Sequence, residues 1–220
     1  MASKSTSVHK KKGYIVIEGP LGVGKTSLAL LLSERMQGET VLEDAEENPF
    51  LADFYKDSKR VAFQTQLYFL LRRFQKQTEI NQIDLFKRVV ISDFLFDRDR
   101  IFARLTLDDR EFSLYEQVFR LLRGRIVLPD LVIFLQAKTD VLKKRIKERD
   151  RAYEKSLNLK YLDEVNQAFN EFFFHYSETP LLVINASEID FVHVPADLDN
   201  LVLEIDRMER GTKYYVSLKE

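Results

Sequence analysis

Four short runs of apolar, mostly β-branched residues stand out along the chain: YIVIEG, RVVISD, LVIFLQ and LLVINA. Polar residues do not alternate within these runs, which is typical of strands buried on both faces of a sheet. A shorter run, TVLED, is a candidate for a fifth strand. The pattern therefore predicts a parallel sheet of about five strands.

Between these runs, apolar residues recur at helical spacing. The periodicity predicts helices over residues 26–37, 59–80, 111–123, 139–149, 159–176 and 198–209. Alternating strands and helices are typical of an α/β fold in which helices flank a parallel sheet. Since no repeat or linker interrupts the pattern, we expect one domain over 13–210, with a flexible tail at 1–12 and a C-terminal tail at 211–220.

Composition narrows the class of protein. The 220 residues carry a formal net charge of −1, which predicts no general attraction to nucleic acid or to an anionic membrane. The chain has no cysteine, and its histidines lie far apart at His9, His175 and His193, so we expect neither disulfides nor a zinc site. No apolar run reaches the length of a membrane span, and residues 1–12 lack the apolar centre of a secretory signal. We therefore expect a cytoplasmic protein.

The segment GPLGVGKT fits the phosphate-binding pattern G-x-x-x-x-G-K-[ST] and lies between a predicted strand and a predicted helix, as that motif requires. Glycines let backbone N–H groups turn towards phosphate oxygens, and the helix N-terminus adds positive potential. Lys25 would neutralise the β- and γ-phosphates, and Thr26 would offer its hydroxyl group to Mg²⁺. We predict that a nucleotide contacts Gly19, Pro20, Leu21, Gly22, Val23, Gly24, Lys25, Thr26 and Ser27.

The remaining motifs favour a small-molecule kinase over a GTPase. AKTD resembles the guanine-reading N-K-x-D in position, but Ala137 replaces its first residue, and D-x-x-G is missing from the chain. A kinase of this size needs a base near the acceptor hydroxyl group, an acid for the metal, cations around the transferred group and an acceptor pocket.

Two acidic residues follow predicted strands, at the edge where parallel sheets bind ligands. Glu43 is a candidate general base, and Asp93 a candidate ligand for Mg²⁺ together with Thr26. The neighbouring acids Asp44, Glu46 and Glu47 have an equally simple interpretation as caps or charges at a helix N-terminus.

Five blocks of the sequence together resemble the deoxynucleoside kinase family, most closely the bacterial deoxyadenosine/deoxyguanosine kinases. They are IEGPLGVGKTSL, EDAEENPFLADFYKDSKRVAFQTQLYFLLRRFQKQ, SDFLFDRDRIFA, PDLVIFLQA and LKKRIKERDRAYE…YLDEVN, and they run in order from about Gly13 to Phe191. The resemblance implies a P-loop kinase fold with an arginine-rich lid, and transfer of the γ-phosphoryl group of ATP, with Mg²⁺, to the 5′-hydroxyl group of a deoxynucleoside.

The resemblance assigns roles residue by residue. It implies that Glu43 is the general base, that Tyr55 contacts the sugar 3′-hydroxyl group, and that Gln66 rather than Gln64 reads the base. Arg73 corresponds to an arginine that helps to read the base in some members.

Further along the chain, the resemblance implies three more contacts. Asp99 is a candidate acid for the base, with Arg98 and Arg100 as alternatives, and Glu154 corresponds to an acid that binds the sugar 3′-hydroxyl group. In SEIDF, the loop that ends with Asp190 and Phe191 resembles the one that holds the adenine of ATP. The same loop would also suit an ordinary turn between a strand and a helix.

One position departs from the family. Many members have an acidic residue followed by Arg-Ser after the third strand, whereas this chain has Asp93-Phe94-Leu95. Asp93 can still hold Mg²⁺, but a cation near the reacting phosphate must come from elsewhere or is not needed.

The segment RIKERDRAYE carries seven charged residues in ten. Arg145 and Arg149 lie one helical turn apart, a like-charge spacing that costs an isolated helix a few tenths of a kcal/mol. With Arg151, they would clamp a phosphoryl group as a lid that opens without nucleotide and closes on ATP. A solvated, salt-bridged helix face is the alternative.

Substrate and assembly are less constrained. A glutamine amide suits the acceptor–donor edge of adenine, which favours deoxyadenosine and leaves deoxyguanosine and deoxycytidine open. Two other functions are alternatives. A thymidylate-like monophosphate kinase would need extra cations to bind the phosphate of its acceptor. A nucleotide-binding regulatory module without transfer activity would not need this set of site residues. The resemblance also implies a homodimer, with apolar residues of LYEQVFRLL available either for an interface or for the core.

Overall fold

The computed structural model of the chain describes residues 12–83, 88–189, 191–192 and 194–216. Its strands are β1 Tyr14–Glu18, β2 Glu39–Val41, β3 Val90–Ser92, β4 Leu131–Gln136, β5 Leu181–Asn185 and β6 Thr212–Tyr215. Its helices are α1 Lys25–Met36, α2 Leu51–Lys56, α3 Ser58–Gln82, α4 Arg98–Thr106, α5 Asp109–Arg123, α6 Thr139–Arg149, α7 Leu159–Phe174 and α8 Pro195–Arg207. Two 3₁₀ turns cover Ala45–Glu47 and Ala152–Ser156.

The six strands form one parallel sheet in the order β2-β3-β1-β4-β5-β6. The chain runs from β1 to the β2–β3 edge and then crosses to the other side of β1. Strand order therefore reverses beside β1, and a crevice opens there at the carboxyl ends of the strands. This position sets the phosphate loop, which directly follows β1, at the centre of the sheet edge.

Side chains alternate across the sheet and build a core on each face. Ile15 and Ile17 belong to a buried cluster with residues of α1, α6 and α8. Tyr14 and Val16 belong to a second cluster with residues of α3, α4 and α7. Each fully buried aliphatic side chain of this kind contributes about 1.5–3 kcal/mol, so both layers hold the strand ends in fixed positions.

A third hydrophobic cluster lies away from the sheet, where α3, α4 and α5 meet. It contains Leu70, Phe96, Tyr115 and Phe119, all of them buried. This helical unit holds α3 and α4 against each other, and these two helices carry the side chains of one wall of the site.

The structure confirms the α/β class and the five strands expected from the sequence, and it corrects the C-terminal boundary. The predicted tail at 211–220 contains β6, which pairs with β5. Its sequence, TKYY, is largely exposed at the sheet edge and lacks the apolar run that identified the other strands. Helix α2 has only six residues, too few to show a helical period. Residues 1–11 and 217–220 of the two predicted tails lie outside the described part of the chain.

Within the described residues, the structure contains no helix with the length and apolarity needed to span a membrane.

Candidate active site

The phosphate loop connects β1 to α1 through glycines in the left-handed backbone region. Gly22 has φ 78° and Gly24 has φ 105°, and Gly24 occupies the cap position of α1. A Cβ atom on Gly22 would lie 2.6 Å from Cγ1 of Ile146, so the loop approaches α6 too closely for any side chain. The resulting backbone turn aims N–H groups at a space suited to phosphate.

Lys25 starts α1 and folds back over this loop. Its Nζ group donates to the carbonyl oxygens of Gly19 at 2.8 Å and Pro20 at 3.0 Å. Burial, followed by the nearby guanidinium of Arg98, lowers the pKa of Lys25 to about 8. The ammonium group is thus held at the loop. A bound phosphate could replace the two carbonyl oxygens as its hydrogen-bond acceptors.

Thr26, Asp93 and Glu43 meet although they come from three different segments. The hydroxyl group of Thr26 donates to Oδ2 of Asp93 at 2.5 Å. The backbone N–H of Glu43 donates to Oδ1 of the same carboxylate at 2.8 Å. Because β2 and β3 are parallel neighbours, the residues after them reach the same sheet edge, as the sequence predicts.

The carboxylate of Glu43 lies between two guanidinium groups. Arg73 approaches Oε1 at 2.5 Å, and Arg98 approaches Oε2 at 3.0 Å. Burial alone would raise the pKa of Glu43, but Arg73, Arg98 and Lys25 together outweigh it and lower that pKa. Glu43 is therefore an ionised carboxylate in a fixed orientation.

One cavity runs from the phosphate loop to α3. The residues predicted from the sequence that line it are Leu21, Gly22, Lys25, Thr26, Glu43, Tyr55, Gln66, Arg73, Asp93, Arg149, Arg151 and Glu154. Apolar side chains of Leu51, Phe54, Phe69 and Phe102 fill the spaces between them. Convergent polar and charged groups beside apolar walls suit a polar small molecule with a flat apolar part.

The two glutamines of helix α3 face different surroundings. Gln66 is buried and lines the cavity, whereas Gln64 points to solvent. On α2, Tyr55 lies parallel to Tyr153 with ring centroids 6.1 Å apart, and burial raises the pKa of Tyr55. Both predicted side chains therefore face the same cavity from neighbouring helices.

Asp99 occupies a different place from the one expected. It is fully buried and forms an ion pair with Arg73, but it does not line the cavity. In this conformation Asp99 fixes the guanidinium of Arg73 and does not reach the cavity, so its contact with a bound base stays a prediction.

The lid arginines also differ from expectation. Arg145 donates to the backbone carbonyl oxygens of Val23 at 3.0 Å and Ala186 at 2.8 Å, so it joins the phosphate loop to the end of β5. Arg149 forms an ion pair with Glu154. In this conformation neighbouring acceptors therefore engage Arg145 and Arg149, and a clamp of the three arginines around a phosphoryl group stays a prediction.

Arg151 likewise has partners. It donates to the hydroxyl group of Tyr153 at 2.7 Å and lies 3.8 Å from Oε1 of Glu46. The neighbouring Asp44 caps the 3₁₀ turn by accepting from the N–H of Glu46 at 3.0 Å, which agrees with the simple interpretation of these acids.

A second groove lies on the outer side of the phosphate loop, between α1, α6 and the segment after β5. Gly24, Ser27, Arg145 and Phe191 line it. Phe191 is buried there, while Asp190 lies outside the described residues. This groove has the position expected for the base and ribose of a phosphate donor.

The sequence did not identify Glu18 as a site residue, and it suggested a different contact for Arg98. Glu18, the last residue of β1, is fully buried and accepts from the N–H groups of Gly19 at 2.8 Å and Leu95 at 2.7 Å. Arg98 was only an alternative to Asp99 as a base contact, whereas it contacts Glu43. The sequence offered one signal for Glu18, an acidic residue directly before the phosphate loop. Because Glu18 ends an apolar run, it was counted as part of the predicted strand.

Comparisons with known proteins agree with this geometry. The profile of the deoxynucleoside kinase family matches residues 15–208. A deoxyadenosine kinase of Dictyostelium discoideum is 37% identical over 181 residues, covering 80% of this chain and 73% of that protein. A deoxyguanosine kinase of Bacillus subtilis is 29% identical over 200 residues, covering 89% and 97%. The structure of deoxyadenosine kinase from M. mycoides with bound dATP matches with a TM-score of 0.77 and 25% identity, covering 88% of this chain and 99% of that one.

Proposed function

The chain belongs to the deoxynucleoside kinase family, and from that premise we propose that it transfers the γ-phosphoryl group of ATP to the 5′-hydroxyl group of a deoxynucleoside. The observation that carries this proposal is one continuous cavity lined by Lys25 of the phosphate loop, by Glu43 and by Gln66 of α3. Donor phosphates and acceptor hydroxyl group would meet beside Glu43.

In the proposed reaction, Glu43 accepts the proton of the 5′-hydroxyl group while that oxygen bonds to the γ-phosphorus atom. The bond from phosphorus to the bridging oxygen breaks, and ADP leaves with the electron pair. Lys25 neutralises the β- and γ-phosphates. The lowered pKa of Glu43 supports its role as a base, because the group is ionised before substrate binds.

We propose that Thr26 and Asp93 hold Mg²⁺ when ATP is bound. Their oxygen atoms lie 2.5 Å apart beside the phosphate loop, and oxygen ligands of this kind suit the ion, which keeps waters and phosphate oxygens as its other ligands. The bound ion would neutralise charge on the phosphates. Asp93→Asn should weaken Mg²⁺-dependent ATP binding in calorimetry and leave Mg²⁺-free binding of ADP nearly unchanged.

Deoxyadenosine is the proposed first substrate, with deoxyguanosine and deoxycytidine as alternatives. The buried amide of Gln66 can pair with the acceptor and donor on one edge of adenine. Deoxyguanosine and deoxycytidine stay open, because an amide carries both a donor and an acceptor and can also pair with edges of other bases. The test is kcat/KM for all four deoxynucleosides; a higher value for any other base would refute the preference for deoxyadenosine.

A matched pair of variants tests the glutamine. Gln66→Leu should lower kcat/KM for the preferred nucleoside by about 10- to 100-fold, since an unpaired polar group costs about 1–3 kcal/mol. Gln64→Leu, on the exposed face of the same helix, should leave it unchanged. Equal effects of the two substitutions would remove Gln66 from the base site.

A thymidylate-like kinase has less support, because a monophosphate acceptor needs unengaged cations. Arg73, Arg98 and Arg149, which line the cavity, each form an ion pair with a carboxylate. A neutral deoxynucleoside is the better match to this arrangement.

We further propose a homodimer that works in cytoplasmic nucleotide salvage. Helix α5 buries Tyr115 and Phe119 but leaves Leu114 51% and Leu121 75% exposed, two turns apart on one face. The helix thus has one apolar face for the core and another for a partner. Light scattering should give a dimer mass, and Leu121→Glu should give a monomer; a monomeric wild type would refute this part.

A further inference from the structure

The residue after Asp93 cannot supply a cation to this site. Phe94 is fully buried, in the hydrophobic cluster that also holds Tyr14 and Val16. An arginine there would place a charge among apolar side chains, at a cost of several kcal/mol. A guanidinium group for the reaction centre must therefore come from another element.

Arg98, the first residue of α4, lies at the reaction centre. It is buried, with 6% exposure, and lines the cavity with Lys25 and Thr26. One of its terminal nitrogens, Nη2, is 3.0 Å from Oε2 of Glu43, and the other, Nη1, donates to the carbonyl oxygen of Asp93 at 3.4 Å. The ring of Phe102 lies 5.5 Å from the guanidinium carbon, and its face attracts cations.

The second terminal nitrogen of this guanidinium lies near the end of β1, where the phosphate loop begins. Its Nη1 atom is 3.6 Å from Oε1 of Glu18, and Glu18 is itself fixed by the N–H groups of Gly19 and Leu95. Arg98 thus bridges two carboxylates, one at the start of the phosphate loop and one at the proposed base.

We infer that Arg98 is a positioning residue for phosphoryl transfer, which orients Glu43 towards the acceptor hydroxyl group and takes the place of the arginine absent after Asp93. This inference rests on the proposed function. Arg73 forms an ion pair with one oxygen of Glu43 and Arg98 with the other, so rotation of the carboxylate would separate both pairs. Without Arg98, Oε2 loses its partner, and a base misplaced by about 1 Å costs about 100-fold in rate.

Arg100 provides a matched control two residues later. Its side chain is 46% exposed, and its Nε atom pairs with Glu116 at 3.1 Å on the outer surface. Arg100 carries the same charge as Arg98 and lies on the same helix, but it does not line the cavity.

The experiment compares Arg98→Ala, Arg98→Lys and Arg100→Ala in steady-state phosphoryl transfer, with thermal unfolding to check the fold. We expect Arg98→Ala to lower kcat about 100-fold while KM for nucleoside and for ATP stays within about threefold. Arg98→Lys should recover only part of the loss, since one ammonium group cannot bridge Glu18 and Glu43. Millimolar guanidinium chloride should raise kcat of Arg98→Ala at least about tenfold, by filling the vacated site, and should not affect Arg100→Ala.

A kcat of Arg98→Lys equal to that of the wild type, or no rescue of a folded Arg98→Ala protein, would overturn the inference. If Arg98→Ala does not fold, the comparison of kcat between Arg98→Lys and the wild type alone tests the inference. Failure of the proposed function is distinguishable, because then the wild type itself transfers no phosphoryl group to any deoxynucleoside.

Discussion

The ion pair between Arg73 and Asp99 makes a quantitative prediction about stability. Asp99 is fully buried, Arg73 is nearly so, and Glu43 also contacts the same guanidinium. Breaking a buried pair by removing one partner typically costs about 3–5 kcal/mol, because the other charge stays buried without compensation. A domain is stable by only about 5–15 kcal/mol, so this effect is large enough to measure cleanly.

The two partners should differ in cost. Asp99→Asn leaves Arg73 with Glu43 as its counter-charge, so we expect about 3 kcal/mol. Arg73→Met removes the guanidinium from two carboxylates at once, so we expect about 5 kcal/mol. Since the double variant leaves neither member of the pair charged, its cost should fall below the sum of the single costs by at least about 2 kcal/mol.

The assay is urea unfolding followed by circular dichroism, with comparable m values for the four proteins of the cycle. A surface pair serves as control: Lys144 and Glu148 are 3.8 Å apart, with side chains 77% and 61% exposed. Glu148→Gln should cost less than about 0.5 kcal/mol. Additive costs for Arg73→Met and Asp99→Asn would refute the reasoning, because the two side chains would then not depend on each other.

Three further predictions concern binding. Gly19→Ala should abolish ATP binding in calorimetry, because its Cβ atom would lie 2.5 Å from the carbonyl oxygen of Leu135, which belongs to β4 and cannot move away; retained affinity would contradict this. Because the pKa of Lys25 is lowered to about 8, ATP affinity should fall as pH rises through that value and the ammonium group loses its proton. The Lys25→Arg variant stays charged and should show no such fall. An ATP affinity of the wild type that does not depend on pH would contradict the lowered pKa. Glu154→Gln should raise KM for the nucleoside by about tenfold, because it weakens the proposed contact with the sugar. It should also release Arg149, which forms an ion pair with Glu154. An unchanged KM would place the sugar elsewhere.

Sequence alone predicts those parts of the molecule that depend on neighbouring residues. The strands were predictable because both faces are buried, which leaves continuous apolar runs. The phosphate loop was predictable because its glycines, Lys25 and Thr26 are consecutive in the chain. Gln66 was preferred to Gln64 from its position in the family resemblance, since a turn of about 100° per residue separates the two side chains but does not say which one faces the cavity.

Contacts between distant segments could not be predicted in this way. Arg145 reaches a carbonyl oxygen 122 residues away in the chain, and no local pattern distinguishes it from an arginine that faces a phosphate. Asp99 was expected to contact the nucleobase. Its burial against Arg73 depends on how α3 packs against α4, which the sequence does not show. Arg98 gains its importance only because the end of β1 and the segment after β2 both present carboxylates to it.

A radiolabel assay tests directly whether the residues around the phosphate loop transfer a phosphoryl group to a deoxynucleoside. The protein is given γ-³²P-labelled ATP with each of the four deoxynucleosides and each of their monophosphates, and the products are separated. We expect label in deoxynucleoside 5′-monophosphates, most efficiently from deoxyadenosine, and loss of that label with Lys25→Ala. Label only in diphosphates, or transfer that survives Lys25→Ala, would contradict the proposed activity.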